Sequence, residues 1–142
     1  MILGSHGIAV QADIPETMYR DSKPDMIILP GGMPGTRHLD ESRTVDAALR
    51  AAAANNAYLA AICAAPMVLG KRGYLRGKEA ICFPGFEEHL QGATISSSRV
   101  VTDGKIITAA GMGVALDFGL ALVAALKGED AAKALRAAVL AD

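Results

Sequence analysis

The sequence predicts an α/β fold on a mostly parallel sheet, and three observations carry that reading. Two short apolar runs, Asp25 to Leu29 and Tyr58 to Ile62, read as buried strands. Asp40 to Asn55, between them, reads as one helix, with Val45, Leu49 and several alanines on one face and Arg43, Asp46 and Arg50 on the other. A second helix-like run, Ala65 to Leu69, follows the second strand directly. Strand, helix, strand, helix is the rhythm of crossover units whose strands pair in parallel. In such sheets, sites form beyond the carboxyl ends of the strands.

The bounds agree with this. A chain of 142 residues fits one domain spanning residues 1–142. It is 51% hydrophobic with a net charge of −1, enough apolar matter for a core and too little charge for a nucleic-acid stripe or an acidic tail. No run reaches the length of a membrane span. The start, Met1-Ile2-Leu3-Gly4-Ser5-His6, lacks the basic residues and long apolar core of a signal peptide. Two cysteines suit a reducing cytosol better than a disulfide scaffold. The expectation is a cytoplasmic protein with neither nucleic acid nor membrane as partner.

In chain order, Ile2 to Leu3 and Ile8 to Ala12 read as a hairpin around Gly4-Ser5-His6-Gly7, with His6 a solvated turn residue. Pro15 to Pro24 is polar and broken, with one helical turn near Glu16 to Tyr19. Pro30-Gly31-Gly32 stops the first parallel strand in a tight turn whose N–H groups could donate to an oxyanion; alone it is equally a simple loop. Lys71 to Lys78 reads as a loop, Glu79 to Cys82 as a strand and Glu87 to Leu90 as a helical turn. Cys82, on a strand away from any helix terminus, reads as structural, and His89 has no facing carboxylate at helical spacing. Ser96 to Thr102 and Lys105 to Ala109 form a hairpin on Asp103-Gly104. Val114 to Leu126 reads as a long helix with Asp117 solvated or capping. Glu129 to Leu140 reads as a final helix with a Glu129–Lys133 pair.

Cys63 falls where the second strand changes period into a helix. A thiol at such a corner faces free N–H groups and the positive end of the helix dipole, which favours the thiolate. Ala60, Ala61, Ala64 and Ala65 supply the small neighbours that a sharp corner needs, and Pro66 sits in the first helical turn, where a missing N–H costs least. This is the pattern of a nucleophile elbow with sulfur in place of the hydroxyl. The bland alternative is a small buried hydrophobe.

These motifs resemble the DJ-one/ThiJ/PfpI superfamily, in its DJ-one-like branch. The residues that carry the resemblance are Ala60 to Gly70 at the elbow, Leu29 to Gly35, Phe83 to Glu88, Val101 to Gly104 and Gly4 to Gly7. It runs from about Gly4 to the C-terminus. It implies a flavodoxin-like three-layer α/β sandwich with a mostly parallel sheet, and a homodimer in the cytosol without cofactor or metal. Carried over by position, Cys63 matches the reactive cysteine, and Gly32 and Ala64 match the residues whose backbone N–H groups face the bound oxyanion. The implied activity is a glyoxalase or deglycase acting on methylglyoxal-like 2-oxoaldehydes or their protein adducts. The alternatives are an oxidative-stress sensor or chaperone using the same cysteine, and an inactive truncated form.

The chain departs from the family pattern twice. No counterpart is expected for the family's first strand, helix and second strand, which carry a glutamate bonded to the reactive sulfur, so the domain reads as N-terminally truncated. Glu16, Glu87 and Glu88 lie in other segments. Phe83 stands where some branches place a histidine, and Ala64 rather than histidine follows Cys63. A Cys–His protease pair and an amidotransferase triad are both poorly supported.

Overall fold

The structure, a computed structural model, describes residues 1–141. Its main sheet has four strands. β3 (Met26–Leu29), β4 (Tyr58–Ile62) and β8 (Ile106–Ala109) run parallel, and β7 (Val100–Asp103) is antiparallel on β8, in the order β3-β4-β8-β7. The apolar runs become strands because both faces are covered, as parallel sheets require. Leu29, Leu59 and Ala61 face one helical layer, formed by α1 (Gly35–Glu41), α2 (Arg43–Ala54) and α3 (Pro66–Lys71). Ala60, Ile107 and Ala109 face the other, where Phe118 of α4 (Ala115–Lys127) packs, and α5 (Glu129–Ala138) lies against α4. The result is the three-layer α/β arrangement expected.

Two small sheets flank this core. β1 (Ile2–Leu3) and β2 (Ala9–Val10) form the expected hairpin, and the ring of exposed His6 in its turn shares a hydrogen bond with the Ser5 hydroxyl at 3.0 Å. β5 (Glu79–Ala80) pairs in parallel with β6 (Thr94–Ile95). β5 is shorter than Glu79 to Cys82, since its pairing with β6 stops at Ala80; the Ile81 N–H, on the side away from β6, donates to Thr108 Oγ1 at 3.0 Å. The expected strand from Ser96 to Thr102 is likewise broken. Ser96 Oγ accepts the Ser98 N–H at 3.0 Å in a local turn, so β7 begins at Val100. The Asp103-Gly104 turn joins β7 to β8 as expected, with Gly104 at φ 59°.

The helix expected over Asp40 to Asn55 is two helices. Ser42 leaves the helical conformation, and its Oγ accepts the Val45 N–H at 3.1 Å as the N-cap of α2. Glu16 bonds the same hydroxyl and so ties the N-terminal segment to this junction. The Glu129–Lys133 pair does not form. Instead Arg136 bonds Asp117 at 2.7 Å and links α5 to α4, so Asp117 is an ion-pair partner rather than a lone solvated charge.

Candidate active site at the β4 corner

Cys63 lies just past the carboxyl end of β4, in a three-residue turn before α3. Its φ is +65°, a left-handed conformation that a side chain other than glycine adopts only under constraint. The constraints are visible. Cys63 N–H donates to Ala109 O at 2.9 Å, and Cys63 O accepts the Phe83 N–H at 2.8 Å. Ala65 N–H donates to Ile62 O at 3.1 Å and closes the turn. Ala64 and Ala65 are buried, at 2% and 0% exposure, so the corner has no room for larger residues. Pro66 opens α3 at its first position. The strand-to-helix elbow read from the sequence is therefore present, with Cys63 half-buried at its apex.

The Pro30–Gly32 turn reaches the same place from the end of β3. A Cβ on Gly31 would lie 2.5 Å from Cys63 Cβ and 2.7 Å from Ile62 O, so only glycine allows the two loops to meet. Gly32 has φ +85°, and its carbonyl accepts the Thr36 N–H at 2.9 Å from the first turn of α1. Among the described residues, neither the Gly32 nor the Ala64 N–H has a protein acceptor. The parallel register that aligns Leu29 with Ala61 brings these two loops to one crevice.

A third loop completes the corner. Phe83, 47% exposed, lies over Gly111, where an added Cβ would sit 3.3 Å from the ring. Cys82, immediately before it, is 1% exposed. Burial pushes its thiol up to about 11, and the nearby Glu87 carboxylate adds to the shift. Glu87 itself accepts the Gly85 N–H at 2.7 Å. His89 lies 3.7 Å from Glu88, its sequence neighbour, in a 3-10 turn rather than at helical spacing. The backbone of that turn presses on α3, since a Cβ on Gly70 would fall 2.1 Å from His89 O.

A charged network holds α3 and hence the elbow. Arg72, at the end of α3, bonds Asp40 at 2.6 Å and Asp46 at 3.0 Å, and also donates to Asp40 O at 2.7 Å. Lys71 bonds Asp40 at 2.7 Å. Burial alone would raise the Asp40 carboxyl, but the hydrogen bonds from Lys71 and Arg72 outweigh it and hold the group below its ordinary value. Nothing in the local sequence marks this network, because its members lie far apart in the chain.

Residues 1–125 match the family model described as the DJ-1/PfpI family. The chain belongs to the DJ-1/PfpI family. It is 40% identical to Protein DJ-1 homolog B of Arabidopsis thaliana over 129 residues, which are 89% of this chain and 30% of that protein. It is 33% identical to Protein dj-1beta of Drosophila melanogaster over 128 residues, 89% of this chain and 68% of that one. Among solved structures, Toxoplasma gondii DJ-1 in an oxidized form superimposes with a TM-score of 0.92 at 33% identity, covering 98% of this chain and 76% of that one. The chain thus spans under a third of the plant relative. The family's flavodoxin-like α/β architecture is the one described above.

Proposed function

We propose that Cys63 is the nucleophile of a cofactor-free enzyme of the glyoxalase or deglycase type, acting on small 2-oxoaldehydes such as methylglyoxal or on their protein adducts. The observation that carries this reading is the strained conformation of Cys63 beside two N–H groups without a protein acceptor. Strain of that kind persists only where the surroundings over-determine it, and it collects at reactive centres. The Cys63 thiolate attacks the aldehyde carbon and forms a C–S bond. The carbonyl electron pair moves to oxygen, where the Gly32 and Ala64 N–H groups hold it until protonation gives a hemithioacetal. A proton shift between the two substrate carbons converts this to a thioester, and water cleaves the C–S bond to release the hydroxy acid and the thiol. The proton shift is the weak step. Glu16 is engaged by Ser42 and Glu87 by the Gly85 backbone, so turnover is expected about 10²–10⁴-fold below that of an enzyme with a carboxylate at the sulfur. A homodimer in the cytoplasm belongs to the same reading. Lactate formation from methylglyoxal tests it: the chain should produce lactate and Cys63→Ser should not, whereas full activity in Cys63→Ser would exclude the mechanism.

The engagement of both carboxylates also favours a second reading, in which Cys63 senses oxidants, with or without chaperone behaviour. Each peroxide molecule would deliver one oxygen to the sulfur and leave as water, giving sulfenic and then sulfinic acid. Mild peroxide separates the two readings. A sensor gains two oxygens at Cys63 and changes its association state, whereas an enzyme only loses turnover.

A further inference from the structure

Four loops meet at the Cys63 corner: residues 30–33 after β3, 63–65 after β4, 83–86 beyond β5, and 110–113 after β8. Gly31 packs on Cys63 Cβ, Phe83 N–H donates to Cys63 O, and Cys63 N–H donates to Ala109 O at the head of the fourth loop. The side chains of these loops contain no nitrogen and no oxygen. Apart from the sulfur of Cys63, Met33 and Met112, they are hydrocarbon throughout. Every hydrogen bond that the four loops can offer a small molecule therefore comes from backbone. Of the charged side chains that flank them, Glu87 is engaged by the Gly85 N–H at 2.7 Å, and Arg99 lies against Gly113, two residues past Gly111.

Phe83 is the ring that this corner presents. Phe86, in the same loop, packs against the core instead. Phe83 is fixed at both ends. Its N–H bonds Cys63 O at 2.8 Å, and its ring rests on Gly111, where an added Cβ would come within 3.3 Å of Cδ2 and 3.8 Å of Cε2. The absence of a side chain at Gly111 is what lets the ring lie there. The ring thus spans the two loops whose backbone holds Cys63 in place, and the residue stays 47% exposed.

We propose that Phe83 is the specificity-determining residue of this corner, and that Cys63 takes 2-oxoaldehydes with an apolar, preferably aromatic, substituent rather than the polyhydroxylated ones. The proposal rests on the aldehyde chemistry assigned above to Cys63 and names the substrate class within it. Once the aldehyde oxygen lies at the Gly32 and Ala64 N–H groups, the rest of the substrate has hydrocarbon and thioether to meet. A substituent rich in hydroxyls gives up water there and finds no side-chain partner. A phenyl or alkyl group gains contact with the Phe83 ring, and an aromatic one can lie offset or edge-on against it. Discrimination of about 10–200-fold is what one apolar group in such a setting supplies.

Two measurements test this, and the first needs no turnover. Cys63 is alkylated with phenacyl bromide, which loses bromide to the thiolate, and with iodoacetamide, which loses iodide. The ratio of the two rates is compared with that of Cys63 in the urea-unfolded chain. In the folded wild type the ratio should exceed the unfolded one by about 10-fold. Phe83→Ala should bring it close to the unfolded value, and Phe83→Leu should fall between. Gly111→Ala, which pushes the ring off its seat, should also lower it, whereas Leu135→Ala on α5 should leave it unchanged. In the second measurement, kcat/KM for phenylglyoxal, read as mandelate, should exceed that for 3-deoxyglucosone by about 10–200-fold, and Phe83→Ala should close the gap. A wild-type alkylation ratio equal to the unfolded one, or a raised ratio that survives Phe83→Ala and Phe83→Leu, would overturn the proposal. Faster turnover of 3-deoxyglucosone would do so too. A Phe83-dependent alkylation ratio without turnover of any aldehyde would instead refute the glyoxalase reading and leave Phe83 as the selector of apolar reagents at Cys63.

Discussion

The two cysteines lie in adjoining loops and have opposite surroundings. Cys63 is half-buried at a strained corner, with unengaged N–H groups nearby. Cys82 is fully buried in unstrained backbone, next to a carboxylate, with its thiol pushed up to about 11. A hydrogen bond from the Phe83 N–H to Cys63 O connects the two loops. On the proposed reading, reactivity is a property of the backbone around a thiol rather than of the residue type. Positive φ, a helix start and free N–H donors define one cysteine, while apolar burial and a like charge silence the other.

The largest perturbation of that contrast should come from Gly31→Ala. The added Cβ would meet Cys63 Cβ at 2.5 Å, and both contacts are rigid, so the corner must move. A loss of about 1–3 kcal/mol in chemical unfolding is expected, together with a changed alkylation rate at Cys63 and none at Cys82. Gly35→Ala, where nothing lies within 4 Å of the added Cβ, is the matched control and should change neither.

Asp40→Asn reaches the same corner through α3. Removing one charge from the network with Lys71 and Arg72 should lower the unfolding free energy by about 1–3 kcal/mol at neutral pH. The sign of the pH dependence follows from the depressed carboxyl. Its stabilisation is present above the ordinary value of 3.8 and is lost as pH falls through the lower folded value. The gap between wild type and Asp40→Asn should therefore narrow below that range in acid titrations of unfolding. Within the folded population the two cysteines should keep their difference.

The smallest effect is expected at Arg136→Ala. The Asp117–Arg136 pair is 53% and 41% exposed and remote from the corner, so under about 1 kcal/mol is expected. Thermal unfolding should barely shift, and cysteine labelling should be unchanged.

Much of this was legible in the sequence because the signals are local. The βαβ rhythm, the elbow around Cys63 and the Asp103-Gly104 turn each depend on neighbours within a few residues. The break at Ser42 was hidden for the opposite reason. A serine within an amphipathic pattern looks like a solvated helix position until its hydroxyl is seen capping Val45. Arg72 with Asp40, and Asp117 with Arg136, join elements that only the tertiary fold brings together. Gly31 read as a turn residue, and its steric role became visible only when β3 and β4 were placed side by side. β5 ended early because its partner β6 spans only Thr94–Ile95, which the local pattern at Glu79 to Cys82 does not show.

The most direct test is site-resolved alkylation of the two cysteines at neutral pH, read by mass spectrometry in the folded and urea-unfolded chain. In the folded chain Cys63 should react at least about 100-fold faster than Cys82, since a thiol near 11 is almost wholly protonated. In urea the two rates should converge. Equal rates in the folded protein, or a faster Cys82, would contradict the assignment of Cys63 as the reactive centre.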